Sequence, residues 1–180
     1  LFLGALYEEM ESYDDAIDAL KKGLTLQPDH VRLHFRLGVV YDKAGNKEAC
    51  IEEMKTVIEI DPSHAEALNY LGYTYADLGR NLEEAELLIK KALQFKPDDG
   101  YITDSLGWVY FKMGRYPESL EVLKRAVDLV PDDPIILEHL GDVYNQLDDR
   151  ENALRYYKKS LEHKNKDKSG VTKKIEALND

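Results

Sequence analysis

The sequence predicts an all-α fold, a solenoid of antiparallel helix pairs stacked one upon the next. The first observation is a fixed period, because Pro28, Pro62, Pro97 and Pro131 recur at intervals of 34, 35 and 34 residues. The second observation is a Leu-Gly pair, followed three residues past the glycine by a tyrosine, that keeps the same period. Its copies are Leu3-Gly4-Tyr7, Leu37-Gly38-Tyr41, Leu71-Gly72-Tyr75, Leu106-Gly107-Tyr110 and Leu140-Gly141-Tyr144. A repeat of this length is typical of stacked helical arrays rather than of one closed core.

Each repeat has the apolar pattern of two amphipathic helices. In the second repeat, apolar residues follow helical spacing over 31–44 and again over 47–60. The turn Gly45-Asn46 separates the two runs, and Asp61-Pro62 ends the second, because the residue before a proline is pushed out of the helical region. The predicted helix pairs span 1–11/14–26, 31–44/47–60, 65–78/82–95, 100–113/116–129 and 134–147/150–163, with a last helix near 169–179.

A small residue marks the second helix of each pair. It follows the tyrosine by nine residues at Ala16, Cys50, Ser119 and Ala153, and it comes one residue later at Ala85. We place this extra residue in the turn over 79–82, where a loop absorbs it at little cost. The glycine of the first helix and the small residue of the second are expected to let the two helices approach closely, so the sole cysteine is a packing residue.

The helix ends carry their own signals. Ser63, Asp99 and Asp133 are predicted N-caps, and Pro134 suits a first helical position. The last helix has an apolar stripe, and its other face is predicted to be the polar outer surface of a terminal cap. The stripe is Val171, Ile175 and Leu178, and the polar face is Lys173, Lys174, Glu176 and Asn179.

The pattern L-G-x-x-Y, then a small residue, then a closing proline resembles the tetratricopeptide repeat (TPR) family. The resemblance extends from Leu1 to about Lys164, with Asn165 in place of the last proline. It implies a right-handed superhelical solenoid of antiparallel helix pairs, whose first helices line an inner, concave face that binds protein partners. The predicted domains are five TPR-type pairs over 1–164, the first truncated at its N-terminus, and a C-terminal capping helix over 165–180.

The N-terminal residues suggest two alternatives. Leu1 stands where a first helix should already have begun, and Leu1, Phe2, Leu3 and Leu6 would leave apolar surface uncovered. One interpretation is that the chain is a piece cut from a longer array. The other is a homo-oligomer contact through this helix, since exposed apolar patches often mark contacts.

Composition excludes several classes of partner. The formal net charge of −11 argues against sequence-independent binding to nucleic-acid phosphates or to anionic membrane surfaces. No apolar run is long enough to predict a membrane span. A soluble protein is expected, and the sequence leaves open whether it is cytoplasmic or periplasmic.

Catalytic and metal-binding motifs are missing from the sequence. It contains no G-x-x-x-x-G-K-[ST], H-E-x-x-H, C-x-x-C or G-x-S-x-G motif. His30 and His34 are four residues apart, but no third ligand for a zinc ion is evident. We therefore predict a protein that is not an enzyme and needs no cofactor.

The remaining candidate function is binding on the concave face. Residues at helical spacing along each predicted first helix form one stripe, and large aromatic side chains collect near its middle. Arg32 and Arg36 make one end basic, and three carboxylates make the other acidic, so a ligand with opposite charges at its ends is one hypothesis. The candidate binding residues are Arg32, Phe35, Arg36, Asn69, Tyr70, Tyr73, Tyr101, Asp104, Trp108, Phe111, Glu138 and Asp142.

These residues predict a protein-interaction scaffold that binds an extended peptide or a partner helix in its groove. The carboxylate clamp used by co-chaperones of the resembled family is missing, because its positions hold Phe35, Val39, Tyr70, Tyr101 and Ser105. Two alternatives stay open. One alternative to the scaffold is a non-catalytic arm of a larger enzyme, such as a glycosyltransferase, and the other is a self-assembling structural array.

Overall fold

The computed structural model describes residues 12–163 and 168–179, and the elements that it shows there are α-helices. Two helices form each complete repeat, and a single helix follows the last pair. They are α1 (Tyr13–Leu26), α2 (Val31–Lys43), α3 (Lys47–Ile60), α4 (Ala65–Asp77), α5 (Leu82–Phe95), α6 (Gly100–Lys112), α7 (Tyr116–Leu129), α8 (Pro134–Gln146), α9 (Arg150–His163) and α10 (Ser169–Asn179).

The all-α helical repeat solenoid is confirmed, and the described helices begin and end within one residue of the predicted bounds. The turn between α4 and α5 is one residue longer than the turn within each other described pair, as the repeat interval predicts. Asn81 in that turn takes a left-handed conformation with φ of 52°. The predicted helix over 1–11, and with it the proposed self-association contact, lies outside the described residues.

Glycine lets the two helices approach closely in the four pairs that the structure describes in full. A Cβ added to Gly38 would lie 2.7 Å from Met54 Cε, and one added to Gly107 would lie 2.5 Å from Leu123 Cγ. The small residues of the second helices are fully buried; they are Ala16, Cys50, Ala85, Ser119 and Ala153. Burial raises the pKa of the Cys50 thiol to about 12, in keeping with a packing role.

The core is distributed along the stack rather than gathered at one centre. Buried apolar residues fall into three clusters, and each cluster draws on successive repeats. The first helices α4, α6 and α8 also contact one another in order, whereas the second helices of successive described repeats make at most marginal contact. The first helices therefore lie on the inner side of the stack, where a bound chain can touch several repeats at once.

Two of the three predicted N-caps are observed. Asp99 and Asp133 each accept hydrogen bonds from two backbone N–H groups at the start of their helices. Ser63 is not the cap of α4, because the preceding Asp61 takes its hydroxyl at 2.6 Å. His64 caps α4 instead, with Nδ1 accepting from the N–H of Ala67 at 3.2 Å.

Candidate binding groove

A hollow opens on the inner face where α4, α6 and the start of α8 meet. Its volume is about 290 Å³. Two of its lining residues are largely exposed, Tyr101 with 58% of its surface and Ile135 with 53%. The lining residues are Asn69, Tyr70 and Tyr73 from α4, Tyr101, Asp104 and Ser105 from α6, and Asp133, Ile135 and Ile136 at the start of α8.

The structure brings five of the twelve predicted site residues together in this hollow. They are Asn69, Tyr70, Tyr73, Tyr101 and Asp104. The others lie along the same series of first helices on either side of it. Arg32 and Arg36 are on α2, exposed and partly buried respectively. Phe35 stacks on His64 with ring centroids 5.1 Å apart and meets Tyr70 edge-on at 6.2 Å.

One repeat position links neighbouring first helices through hydrogen bonds. It is the sixth residue of each first helix and of α10: Arg36, Tyr70, Ser105, His139 and Lys174. The Tyr70 hydroxyl donates to Asp42 Oδ2 at 2.7 Å, and His139 Nδ1 lies 2.9 Å from Asp104 Oδ1. Lys174 Nζ likewise donates to carboxylates on α8. At three junctions, therefore, this position supplies a donor to a carboxylate on the preceding first helix.

Ser105 breaks this series of contacts. Its side chain is buried, and its hydroxyl donates to the carbonyl oxygen of Tyr101 on its own helix at 3.0 Å. A serine is too short to cross to α4, so the space that a larger side chain fills elsewhere is open here. Asn69 also lines the hollow, and its side-chain Oδ1 is buried with no hydrogen-bond partner. Ser105 is thus one of the small side chains that line the hollow.

Trp108 sits in an aromatic stack at the next junction. Its ring lies between Phe111, with centroids 4.9 Å apart, and His139 at 4.2 Å. Lys112 Nζ stands 5.2 Å from the ring centroid of Trp108. The side chain is partly buried, and its indole N–H is buried without a partner. Trp108 and Phe111 thus help to join repeats four and five while part of each ring remains accessible.

The predicted acidic end of the groove is largely neutralised from within the chain. Lys174 Nζ donates to Glu138 Oε1 at 2.9 Å and to Asp142 Oδ1 at 2.7 Å, and the Tyr157 hydroxyl also donates to Asp142. The Asp104 carboxylate is paired with the imidazole of His139, whose Nδ1 lies within hydrogen-bond distance. Lys174 therefore faces inward, whereas the sequence pattern placed it on the outer face of the last helix.

The surroundings of the hollow are electrostatically negative. Burial raises the pKa of Tyr73 to about 12, and the carboxylates of Asp77, Asp104 and Asp42 act in the same direction. Lys47 opposes them, and it also pairs with Asp42 at 2.7 Å. The carboxylates that disfavour a phenolate here would favour a cation, whereas burial disfavours either charge.

Several residues of the site were not among the twelve candidate binding residues: Ser105, Asp133, Ile135, Ile136, His139 and Lys174. Aligning the repeats at the sixth helical position would have revealed Ser105, because its counterparts Tyr70, His139 and Lys174 are all large and polar. The alignment identifies Ser105 because its side chain is smaller than those of its counterparts. A search for large aromatic or charged side chains does not find such a position.

The described residues contain neither a metal-ligand cluster nor a helix long and apolar enough to span a membrane. Residues 12–163 and 168–179 contain no group of three histidine, cysteine or carboxylate side chains arranged to hold a metal ion. His34 instead lies 2.6 Å from both Glu53 Oε2 and the carbonyl oxygen of Pro28. None of the described helices has the length and apolar character needed to cross a bilayer.

Family comparisons agree with this architecture. Models described as TPR repeat or tetratricopeptide repeat match residues 8–71, 45–100, 107–148 and 136–167. An all-α solenoid with an open inner face and these repeat matches defines the class, and the chain belongs to the tetratricopeptide repeat family. None of the matching families is a catalytic one.

Individual relatives share the fold at moderate sequence identity. A TPR repeat-containing protein of Pseudomonas aeruginosa is 29% identical over 114 residues, which cover 63% of this chain and 19% of that protein. The chain thus spans about a fifth of the curated relative that it matches. The crystal structure of a thermophilic TPR protein of Thermus thermophilus superposes with a TM-score of 0.82 at 24% identity, covering 99% of this chain and 96% of that one. The crystal structure of MamA gives 0.74 at 26% identity, covering 89% and 94%.

Proposed function

We propose that this chain is a protein-interaction scaffold, and that it binds an extended peptide or a partner helix along its inner face. The observation that carries this proposal is the hollow between α4, α6 and α8, whose lining includes Tyr101 with 58% of its surface exposed. A large aromatic side chain contributes much contact area at low entropic cost, so it is well suited to anchor a bound chain.

The arrangement of the first helices supports a long ligand rather than a small molecule. Predicted site residues occur on α2, α4, α6 and α8, and these helices follow one another along the inner side of the stack. An elongated chain lying across them can contact several repeats, each of which contributes a modest amount. As an arm of a longer protein, the same groove would serve the same role.

Selection of random short peptides displayed on phage, followed by titration calorimetry with the selected peptides, tests the proposal. Tyr101→Ala should weaken their binding about tenfold, because an exposed aromatic anchor is lost while the core is untouched. Leu87→Ala is the matched control, since Leu87 is 70% exposed on the second helix α5. The proposal fails if selected peptides bind both variants as they bind the wild type.

A further inference from the structure

We propose that the hollow between α4 and α6 is a pocket for one basic side chain, arginine or lysine, of the bound peptide. This inference rests on the proposed function and specifies the chemistry of the ligand. It assigns the ligand's cation to the middle of the groove rather than to the end where carboxylates are most frequent in the sequence.

The first step is the donor that is missing at this junction. The sixth residue supplies a hydrogen-bond donor to the preceding first helix at the junctions of Tyr70, His139 and Lys174. The Ser105 hydroxyl instead donates to the carbonyl oxygen of Tyr101 on its own helix. The space that a larger sixth residue fills at the other junctions is therefore open here. A side chain that ends in N–H groups, entering from the ligand, would complete the same pattern of contacts.

The second step is a hydrogen-bond acceptor without a donor, on a residue that lines the hollow. Asn69 Oδ1 is buried and lacks a partner, and an unmet buried acceptor lowers stability until a donor reaches it. An apolar ligand side chain would fill the space but leave this oxygen unsatisfied. A carboxylate would bring a further acceptor and no donor. A guanidinium or ammonium group brings several donors.

The third step is charge. The charged groups that act on Tyr73 or line the hollow are carboxylates at Asp42, Asp77, Asp104 and Asp133, against Lys47 and the His139 that pairs with Asp104. Carboxylates outnumber cations in this set even when His139 is protonated. The site therefore favours a positive ligand, as does the net charge of −11.

The walls suit the rest of a basic side chain. Tyr73 and Tyr101 contribute aromatic rings to the lining, and the face of such a ring attracts a cation through its quadrupole. Ile135 and Ile136 offer apolar surface, along which an aliphatic stem can lie while its charged head reaches polar groups.

Nuclear magnetic resonance titrations with four short probe peptides test the pocket. The peptides share a capped Gly-Ser background and differ only in the central residue, which is arginine, its uncharged isostere citrulline, leucine or glutamate. The arginine peptide should shift the Asn69 side-chain amide and the Ser105 backbone amide. The citrulline peptide should bind about fivefold more weakly, because a charged donor forms the stronger hydrogen bond.

Two variants sharpen the test. Asn69→Asp should strengthen binding of the arginine peptide about fivefold, since it places a charged acceptor at the same position. Gln94→Glu makes the same charge change at an exposed site on α5 and should leave binding unchanged. Ser105→Tyr should block the pocket in the way that Tyr70 fills the preceding junction, whereas Ser105→Ala should retain binding.

The outcomes separate this inference from the proposed function. If the leucine or citrulline peptide binds here as tightly as the arginine peptide, or if the arginine peptide shifts nothing in the hollow, the inference is wrong. Peptides from the phage selection that bind the groove without a basic residue would also contradict it while the scaffold function stood. If the selection yields no peptide that binds the groove, the proposed function fails.

Discussion

His139 is the buried titratable group at the junction between repeats four and five. The residue is 7% exposed, Nδ1 lies 2.9 Å from Asp104 Oδ1, and the ring stacks on Trp108. Burial lowers the pKa of His139, but Asp104, followed by Asp142 and Glu138, outweighs burial and raises this pKa above its ordinary value. Relative to the unfolded chain, folding therefore favours the protonated imidazole.

The raised pKa of His139 determines how the stability of the fold changes with pH. A group whose pKa is raised in the folded state contributes stability that is fully present below its unfolded pKa, about 6.5 for histidine, and is lost as pH rises through the folded pKa. We expect the free energy of unfolding of the wild type, relative to that of His139→Asn, to fall as pH rises above about 6.5. Urea unfolding across pH measures this difference.

The exposed His163 at the end of α9 provides a control for the pH effect. His163→Asn removes an exposed imidazole, which lies 3.6 Å from Asp132 Oδ1, and tests whether loss of any histidine reproduces the effect of His139→Asn. A difference between wild type and His139→Asn that stays constant over the whole pH range would show that the Asp104 pairing does not couple to protonation.

At the scale of the element, the contact between the two helices of a pair depends on a missing Cβ. A Cβ on Gly72 of α4 would lie 2.6 Å from Ile89 Cγ1 and 3.0 Å from the carbonyl oxygen of Ala85, both on α5. The backbone oxygen cannot move aside as a side chain can. We expect Gly72→Ala to lower the free energy of unfolding by about 1–3 kcal/mol, the usual cost of overpacking.

Gly170 in α10 is the matched control, because a Cβ there would meet nothing within 4 Å. Gly170→Ala should leave stability unchanged or raise it slightly, since alanine is the better helix former. Chemical denaturation of both variants measures the difference. Equal effects of the two substitutions would mean that helix propensity rather than close approach decides the outcome at Gly72.

The helices were predictable from the sequence because their signals are local. Periodic prolines, glycines and apolar residues set the bounds, and Asp99 and Asp133 cap their helices because a short carboxylate reaches the first free N–H groups. The prediction that Ser63 caps α4 was wrong because Asp61 and His64, the residues near it in sequence, form the hydrogen bonds instead. The side chain of Asp61 takes its hydroxyl, and the imidazole of His64 then reaches Ala67.

At the scale of the molecule, helical spacing and the inner-face placement implied by the resemblance to TPR proteins together predict one shared face, and five of its residues do line one hollow: Asn69, Tyr70, Tyr73, Tyr101 and Asp104. The pairing of charges across repeats was not predictable in this way. Lys174 meets Glu138 and Asp142 only because α10 stacks beyond α9, at a separation of more than thirty residues. Spacing along one helix carries no information about such contacts.

Lys174 therefore acts on the stability of the end of the stack. It holds α10 to α8, and its removal would take away the cation that Glu138 and Asp142 share. Because each repeat in a solenoid contacts only its neighbours, this loss should stay local. We expect Lys174→Ala to raise amide hydrogen exchange in α8, α9 and α10, at a local cost of about 1 kcal/mol, and to leave α2 and α3 unchanged.

The neighbouring Lys173 makes this prediction specific. Lys173 is exposed on α10, so Lys173→Ala removes the same charge without breaking the bonds to α8. Exchange measured by mass spectrometry should then match the wild type throughout the chain. If Lys174→Ala raised exchange equally in α2 and α10, the chain would be unfolding as one cooperative unit. The groove near Ser105 could not then be altered independently of the C-terminal helix, and neighbour-to-neighbour stacking would not describe its energetics.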